Sequence, residues 1–247
     1  MLPAIVLLAA ASPINAEQIL DRAAEAAGGA EWLNAQTLTL SGTATFYGSS
    51  GSEPRSRATD YRMWRIFDPG RKAAHGAEGK VRILACDGAR RLFTVGFDGE
   101  TTWTERGVTP KAEADAFWAS NFGFGIIRHA RRPGFKAERV PDDVLGTHRL
   151  YMVRLTDPSG SATLFGIDQQ SFAIRRMGFA SPRGWHVRTY DDFYRLTGSR
   201  WLQARKVTLY YNGVKSNEVV WSDTRLNTAI DPSVFTQSST LACGVVP

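Results

Sequence analysis

Residues 148–179 read HRLYMVRLTDPSGSATLFGIDQQSFAIRRMGF. Tyr151, Val153 and Leu155 alternate with Met152, Arg154 and Thr156, the period of two that sends successive side chains to opposite faces of a strand. Asp157-Pro158-Ser159-Gly160 then places four turn formers in a row. Ser161 to Asp168 and Phe172 to Phe179 resume the extended pattern. Strand, turn and strand with no intervening helix implies antiparallel pairing, because a tight turn cannot return the chain to a parallel neighbour.

The pattern spreads in both directions. Downstream, Trp185 to Arg195, Arg200 to Tyr211 and Asn217 to Asn227 are separated by Pro182-Arg183-Gly184, Thr197-Gly198 and Asn212-Gly213. Trp201, Val207 and Leu209 share one face of their strand. Upstream, Thr37 to Tyr47 alternates apolar or small residues with hydroxyls, so that Leu38, Leu40 and Phe46 share a face. A Gly/Ser turn at Gly48 to Ser52 follows. Further strands are expected at Asp60 to Phe67, Val81 to Cys86, Arg91 to Phe97 and Thr101 to Glu105, with Asp87-Gly88 and Asp98-Gly99 as hairpin dipeptides.

Two segments switch to the helical period. Glu17 to Ala27 puts Ile19, Leu20, Ala23, Ala26 and Ala27 on one face and stops at Gly28-Gly29; Ala30 to Ala35 is a further short turn. In Lys111 to Arg131, Trp118, Phe122 and Ile126 share a face, with Phe117 a further candidate for it, and Arg128, His129, Arg131 and Arg132 suit the negative end of a helix dipole. Gly123 and Gly125 weaken that segment toward two shorter pieces. With no linker and no repeat in 247 residues, the expectation is one domain over residues 17–247. Its class is α+β, mainly β: a single strongly curved antiparallel sheet of about ten or eleven strands, with helices covering the concave face.

The N-terminus departs from this pattern. Leu2 to Ala11 is uncharged and apolar, and Ser12-Pro13-Ile14-Asn15-Ala16 precedes the first charge, Glu17. That reads as a secretory signal peptide over residues 1–16. No cysteine follows the apolar core, so the attachment point of a bacterial lipoprotein is missing and a soluble periplasmic protein is expected. The two cysteines, Cys86 and Cys243, are either bridged in that oxidising compartment or two independent buried thiols, and the sequence does not choose.

Chemistry-bearing motifs are absent. His75, His129, His148 and His186 are scattered singly, and there is no H-E-x-x-H, nucleophile elbow or phosphate loop. Gly123-Phe124-Gly125 lacks the third glycine and preceding strand of a dinucleotide site. Asp191 and Asp192, adjacent on a strand, face opposite ways. Asp142-Asp143 reads as a solvated loop pair. No catalytic residue, metal site or cofactor is therefore expected, and the chain is read as a non-enzyme. The net charge is +6, with 24 arginines and six lysines. In an exported protein this suits lipid headgroups or a diffusely basic surface rather than nucleic acid.

Seven Trp, seven Tyr and thirteen Phe fit simple core packing, but a large curved sheet covered by only two short helical regions leaves its concave side incompletely filled, and a ligand is expected in that space. Candidate lining residues are Leu38, Leu40, Phe46, Tyr151, Val153, Leu155, Trp201, Val207 and Leu209, with Trp118, Phe122 and Ile126 as the lid. Five phrases carry a family likeness: AAGGAEWLNAQTLTLSGTA in the segment Glu17 to Tyr47, FDGETTW at Phe97 to Trp103, YMVRLTDPSGSATLFGIDQQSFAIRRM at Tyr151 to Met177, YDDFYRLTGSRWLQARKVTLYYNG at Tyr190 to Gly213, and LNTAIDPSVF at Leu226 to Phe235. Together they resemble the LolA/LolB-like lipoprotein-carrier superfamily, in its broad set of outer-membrane lipoprotein-sorting proteins.

The resemblance implies a half-open β-barrel plugged by helices, with an apolar cavity for acyl chains. It implies a monomeric periplasmic carrier of lipid or of an acylated protein. The alternative is an envelope interaction or stress-sensing protein that uses the same fold to bind a membrane-anchored partner, and a less favoured third reading is an enzyme on this fold. The polar insert Gly48 to Arg57 departs from the carrier's pattern. The mature chain is expected to begin at Glu17. N-terminal sequencing of protein recovered from the periplasm checks this, and an intact Met1 would refute it.

Overall fold

A computed structural model describes residues 14–121, 124–239 and 241–244. The apolar segment read as a leader lies mostly outside these, and so does Phe122. The chain opens with α1 (Ala16–Ala27) and α2 (Ala30–Leu33), followed by β1 (Thr37–Tyr47), β2 (Pro54–Ile66), β3 (Lys80–Asp87), β4 (Arg90–Phe97), β5 (Thr102–Thr104) and β6 (Gly107–Val108). Then come α3 (Lys111–Asn121), a 3-10 turn (Phe124–His129), and β7 (Lys136–Leu145), β8 (His148–Thr156) and β9 (Ala162–Asp168). β10 (Ile174–Ser181), β11 (Gly184–Arg195), β12 (Leu202–Tyr211), β13 (Val214–Leu226) and a second 3-10 turn (Pro232–Phe235) complete it.

All the strands form one antiparallel sheet in the order β6-β5-β4-β3-β2-β1-β13-β12-β11-β10-β9-β8-β7. Every pair of neighbours in the sheet but one is consecutive in sequence; the exception is β1 with β13, from Leu38 opposite Leu226 to Phe46 opposite Asn217. The two runs of hairpins are thereby joined back to back, and the free edges are β6 and β7, which are consecutive in the chain. The sheet does not close into a barrel, and the segment linking its two free edges carries α3 and the 3-10 turn. The β1–β13 register shifts at Ser41/Gly42, where a Cβ on Gly42 would lie 2.1 Å from the Val220 carbonyl oxygen. Only glycine permits that approach.

Thirteen strands stand among the described residues, where the turn signals predict ten or eleven. β6 is two residues long and too short to show a period. β7 was missed because its residues, KAERVPDDVL, are mostly exposed and so lack alternation. Asp142 and Asp143 therefore lie in a strand, not a solvated loop: Asp142 accepts from Arg139 and Gln169, and Asp143 pairs with Arg176. The long helical segment is two pieces, as its glycines suggested.

α1 is an amphipathic helix whose Ile19, Leu20 and Ala23 are buried against β7, β8 and β12. Asn15 caps it in a reciprocal box with Gln18. A cut after Ala16 would remove that cap. On the opposite face of the sheet, the C-terminal segment lies across β2–β4. Phe235 buries itself beside Trp64, Leu84 and Cys86. Arginine and tryptophan side chains bind the segment's backbone: Arg82 donates to the Val234 and Ser239 carbonyls (2.9 and 3.2 Å), Arg62 to Ala242 (2.7 Å), Arg91 to Leu241 (2.8 Å), and Trp103 Nε1 to Phe235 (2.8 Å). Two of these arginines, Arg62 and Arg82, are themselves buried.

Cys86 and Cys243 are bridged, with Cα atoms 5.7 Å apart and a sequence separation of 157. In the chain-entropy picture, opening so long a loop costs about 5 kcal/mol, less any strain released. Replacing both cysteines with serine is expected to lower the urea midpoint with little change in the far-UV CD of the folded protein. A double variant as stable as the parent would show that the tail is held by its arginine contacts alone.

Candidate functional site

Between the concave face and the helical segments lies a partly open cavity of about 280 Å³, near the lower end of ordinary small-ligand sites. Its walls come from strands on both sides of the β1–β13 seam. Leu38, Leu40 and Phe46 of β1, Tyr61, Met63 and Arg65 of β2, Ile83 of β3, and Phe93 and Val95 of β4 form one side. Asn217, Val219 and Trp221 of β13, Val207 and Leu209 of β12, and Arg188, Tyr190 and Phe193 of β11 form the other. Trp32, Phe117, Asn121, Gly125 and Arg128 close over it from the helical segments. The aromatic wall is continuous: Phe46 lies 5.6 Å from Phe93 and 6.3 Å from Tyr61, and Tyr61 lies 5.5 Å from Trp221, centroid to centroid. Burial pushes the phenols of Tyr61 and Tyr190 up to about 12, so both stay neutral.

Of the lining residues inferred from sequence, Leu38, Leu40, Phe46, Trp201, Val207 and Leu209 stand in these walls. Val153 and Leu155 do not. They are fully buried in the main core, the side that α1 fills. Tyr151 is half-buried against Phe172, under the Arg139 guanidinium. Two lid expectations also move. Trp118 is anchored by its indole N–H to Thr102 Oγ1 (2.7 Å) and packs on Val81, Val95 and Phe97, so its neighbour Phe117 faces the cavity instead. Ile126 is wholly buried in the core, and Gly125 and Arg128 of the same turn line the cavity. The part of the wall on β2–β4 was missed because alternation identifies two faces but not which of them points inward. Nothing in the sequence marked Arg65, Arg128 or Arg188 as interior.

The end of α3 is tied to the sheet by polar bonds. The Ser120 carbonyl accepts from the Tyr211 hydroxyl (2.7 Å) and lies 2.7 Å from His186 Nδ1, and the Asn121 carbonyl accepts from Arg188. These satisfy carbonyls that the helix terminus leaves open. His186 also stacks on Phe179 (4.4 Å), whose other neighbour is His75 (4.0 Å).

With this geometry in place, solved structures provide comparisons. A LolA-superfamily protein from Nitrosomonas europaea is similar at 13% identity and a TM-score of 0.51, over 90% of this chain and 98% of that one. An outer-membrane lipoprotein-sorting protein domain from Vibrio parahaemolyticus gives 13% identity and 0.52, and a DUF1329-family protein from Desulfovibrio piger gives 8% and 0.53, each with the same coverage. No protein-family model and no curated protein matches the sequence. The shared feature is the fold, which this chain has in common with the three proteins. Among the described residues no helix is long and apolar enough to cross a membrane, and no group of His, Cys, Asp or Glu is placed to hold a metal ion.

The buried histidines set a pH dependence. Burial, reinforced by nearby arginines, lowers His186 from 6.5 to about 3; burial likewise takes His75 and His129 to about 4. The native protein keeps all three neutral where the unfolded chain protonates. Stability is therefore complete above about pH 6.5 and falls as pH drops toward 4, by up to about 1.4 kcal/mol per pH unit for each histidine. Urea unfolding at pH 7.5 and 5 is expected to show the lower midpoint at pH 5, with His186→Gln reducing the difference. A flat profile would mean that these rings are protonated in the native state.

Proposed function

We propose that this protein is a periplasmic carrier that shields an acyl chain, of a lipid or an acylated protein, inside the cavity, and that it is not an enzyme. The observation behind this reading is the cavity itself: an aromatic and aliphatic hollow beneath a segment that bridges the two free edges of the sheet. Interiors are normally close-packed, so an apolar space of this size that reaches solvent is the natural place for an apolar guest. The fold shared with an outer-membrane lipoprotein-sorting domain supports the same reading. Among the described residues the lining holds arginines and neutral tyrosines but no Ser, Cys, His, Asp or Glu, which suits binding better than nucleophilic or acid–base work.

Magnitudes indicate how the guest is held. A chain of about ten methylenes gains about 8 kcal/mol on leaving water. Association costs at least about 4 kcal/mol, and the remainder corresponds to only millimolar affinity. A useful carrier therefore needs contacts beyond the chain.

Protein purified from its native periplasm and extracted for mass spectrometry is expected to release an acylated molecule in near-stoichiometric amount. Val207→Trp, at a half-buried lining position, is expected to reduce saturable binding of a fluorescent fatty acid at least about tenfold while shifting the thermal midpoint by only a few degrees. If the parent protein releases no lipid and binds no acylated probe, the carrier reading fails and a protein-interaction role takes its place.

A further inference from the structure

The cavity is apolar but not electrically neutral. Its charged lining residues are Arg65, Arg128 and Arg188, with no carboxylate among the residues that form the walls. Arg188 is committed to the α3 terminus through the Asn121 carbonyl. The other two belong to a compact cluster at the end of the cavity beneath the 3-10 turn. Arg65 Nη2 lies 2.6 Å from Glu78 Oε2, Arg71 pairs with the same oxygen, and Arg128 Nη2 lies 3.5 Å from Oε1. The Glu78 side chain is 0% exposed, Arg71 3%, Arg128 6% and Arg65 11%. Three guanidiniums share the one buried carboxylate, so these four side chains carry a formal charge of +2, with the exposed Asp68 acting on Arg71 from the margin.

Gly125 closes the cluster from above, where a Cβ would meet Glu78 Oε2 at 2.7 Å and Arg71 Nη1 at 3.0 Å. Arg128 also lies over the Phe67 ring, 3.8 Å from its centroid. These contacts orient the guanidinium without neutralising it. Desolvated positive charge in excess is costly, and a buried anion would offset it through short, charge-assisted hydrogen bonds.

Resting on the carrier reading, we propose that the guest is an anionic amphiphile whose carboxylate or phosphate head binds at Arg65 and Arg128, with its chain along the Phe46–Tyr61–Trp221 wall. The head supplies the affinity that chain burial alone does not provide. It also fixes polarity: the acid end lies under the 3-10 turn and the chain runs toward β12 and β13. Burial lowers Arg128 to about 10, with Glu78 opposing the shift and Arg65 and Arg71 adding to it, as expected of a cation short of counter-charge.

The test compares dodecanoate, dodecyl phosphate and dodecanol by calorimetry at a pH well above the carboxylate range, with inorganic phosphate as a further arm. The two acids are expected to bind at least about tenfold more tightly than the alcohol, the equivalent of one charge-assisted hydrogen bond. In Arg128→Met the three are expected to bind alike, and the ligand-free variant is expected to be at least as heat-stable as the parent because surplus charge is removed. A purely structural Arg128 would instead lower the thermal midpoint and leave the discrimination intact. Arg128→Lys is expected to keep the preference for an acid head. Equal binding of acid and alcohol by the parent would overturn the headgroup site while leaving the carrier reading in place. Binding of none of the three would overturn the carrier reading itself. Displacement of dodecanoate by an equal concentration of inorganic phosphate would point to a free-anion site and overturn the amphiphile.

Discussion

The pairing of β1 with β13 is the constraint on which the rest of the molecule depends. Hairpins alone would give two separate ribbons, β1–β6 and β7–β13, each with both edges bare. Joining the first long strand to the last makes one sheet wide enough to coil under its own right-handed twist. It also fixes what lies at the gap. Because the free edges are β6 and β7, the chain between them must cross the opening, and the lid follows from the topology. The seam is long-range in sequence, so closing it carries a larger chain-entropy cost than any of the hairpins it unites.

The two faces of the sheet solve different problems. On the outer face, Trp64, Leu84 and Cys86 form an apolar patch that the C-terminal segment covers with Phe235, its backbone carbonyls satisfied by Arg62, Arg82 and Arg91. Planar guanidiniums suit this role, since several fixed donors reach carbonyls that no strand partner can. On the inner face, α1 fills the hollow over β7, β8 and β12, and α2 and the 3-10 turn roof only part of what remains. The cavity is what is left when one amphipathic helix covers half of a concave surface.

The sequence was informative where side chains alternate and silent where they do not. The strands from His148 to Asn227 could be read almost to their ends, because turn dipeptides and period-two burial coincide there. β7 could not, because an exposed edge strand imposes no period on its residues. Of the cavity, parts of both sides were legible, through Leu38, Leu40 and Phe46 on one and Trp201, Val207 and Leu209 on the other, since alternation groups the residues that share a face. The β8 residues Val153 and Leu155 fit the same rule and yet pack under α1, because alternation cannot say which part of a concave face a helix will occupy. Trp118 and Phe117 show the same limit within a single helix, where one hydrogen bond to Thr102 decides which ring turns toward the cavity. The arginine cluster was the least legible of all. Arg65, Arg71, Glu78 and Arg128 are spread over four local contexts, and only the tertiary fold brings them together.

Likeness to known structures at 8 to 13% identity constrains the backbone and little else. A hydrogen-bonded ladder can be kept while nearly every side chain on it changes, so the shape of the cavity can be shared while its chemistry is not. The chemistry must be read from this chain's own lining. There the decisive fact is an imbalance of charge. A fold selected only for stability would gain by replacing a buried guanidinium such as Arg128 with an apolar residue of similar size. Instead, the 3-10 turn brings Gly125 against Glu78 and sets Arg128 over Phe67 at the cavity wall. The cost of holding that charge there is balanced when an anion arrives, and a site that is strained when empty and relaxed when occupied is one that distinguishes its guest.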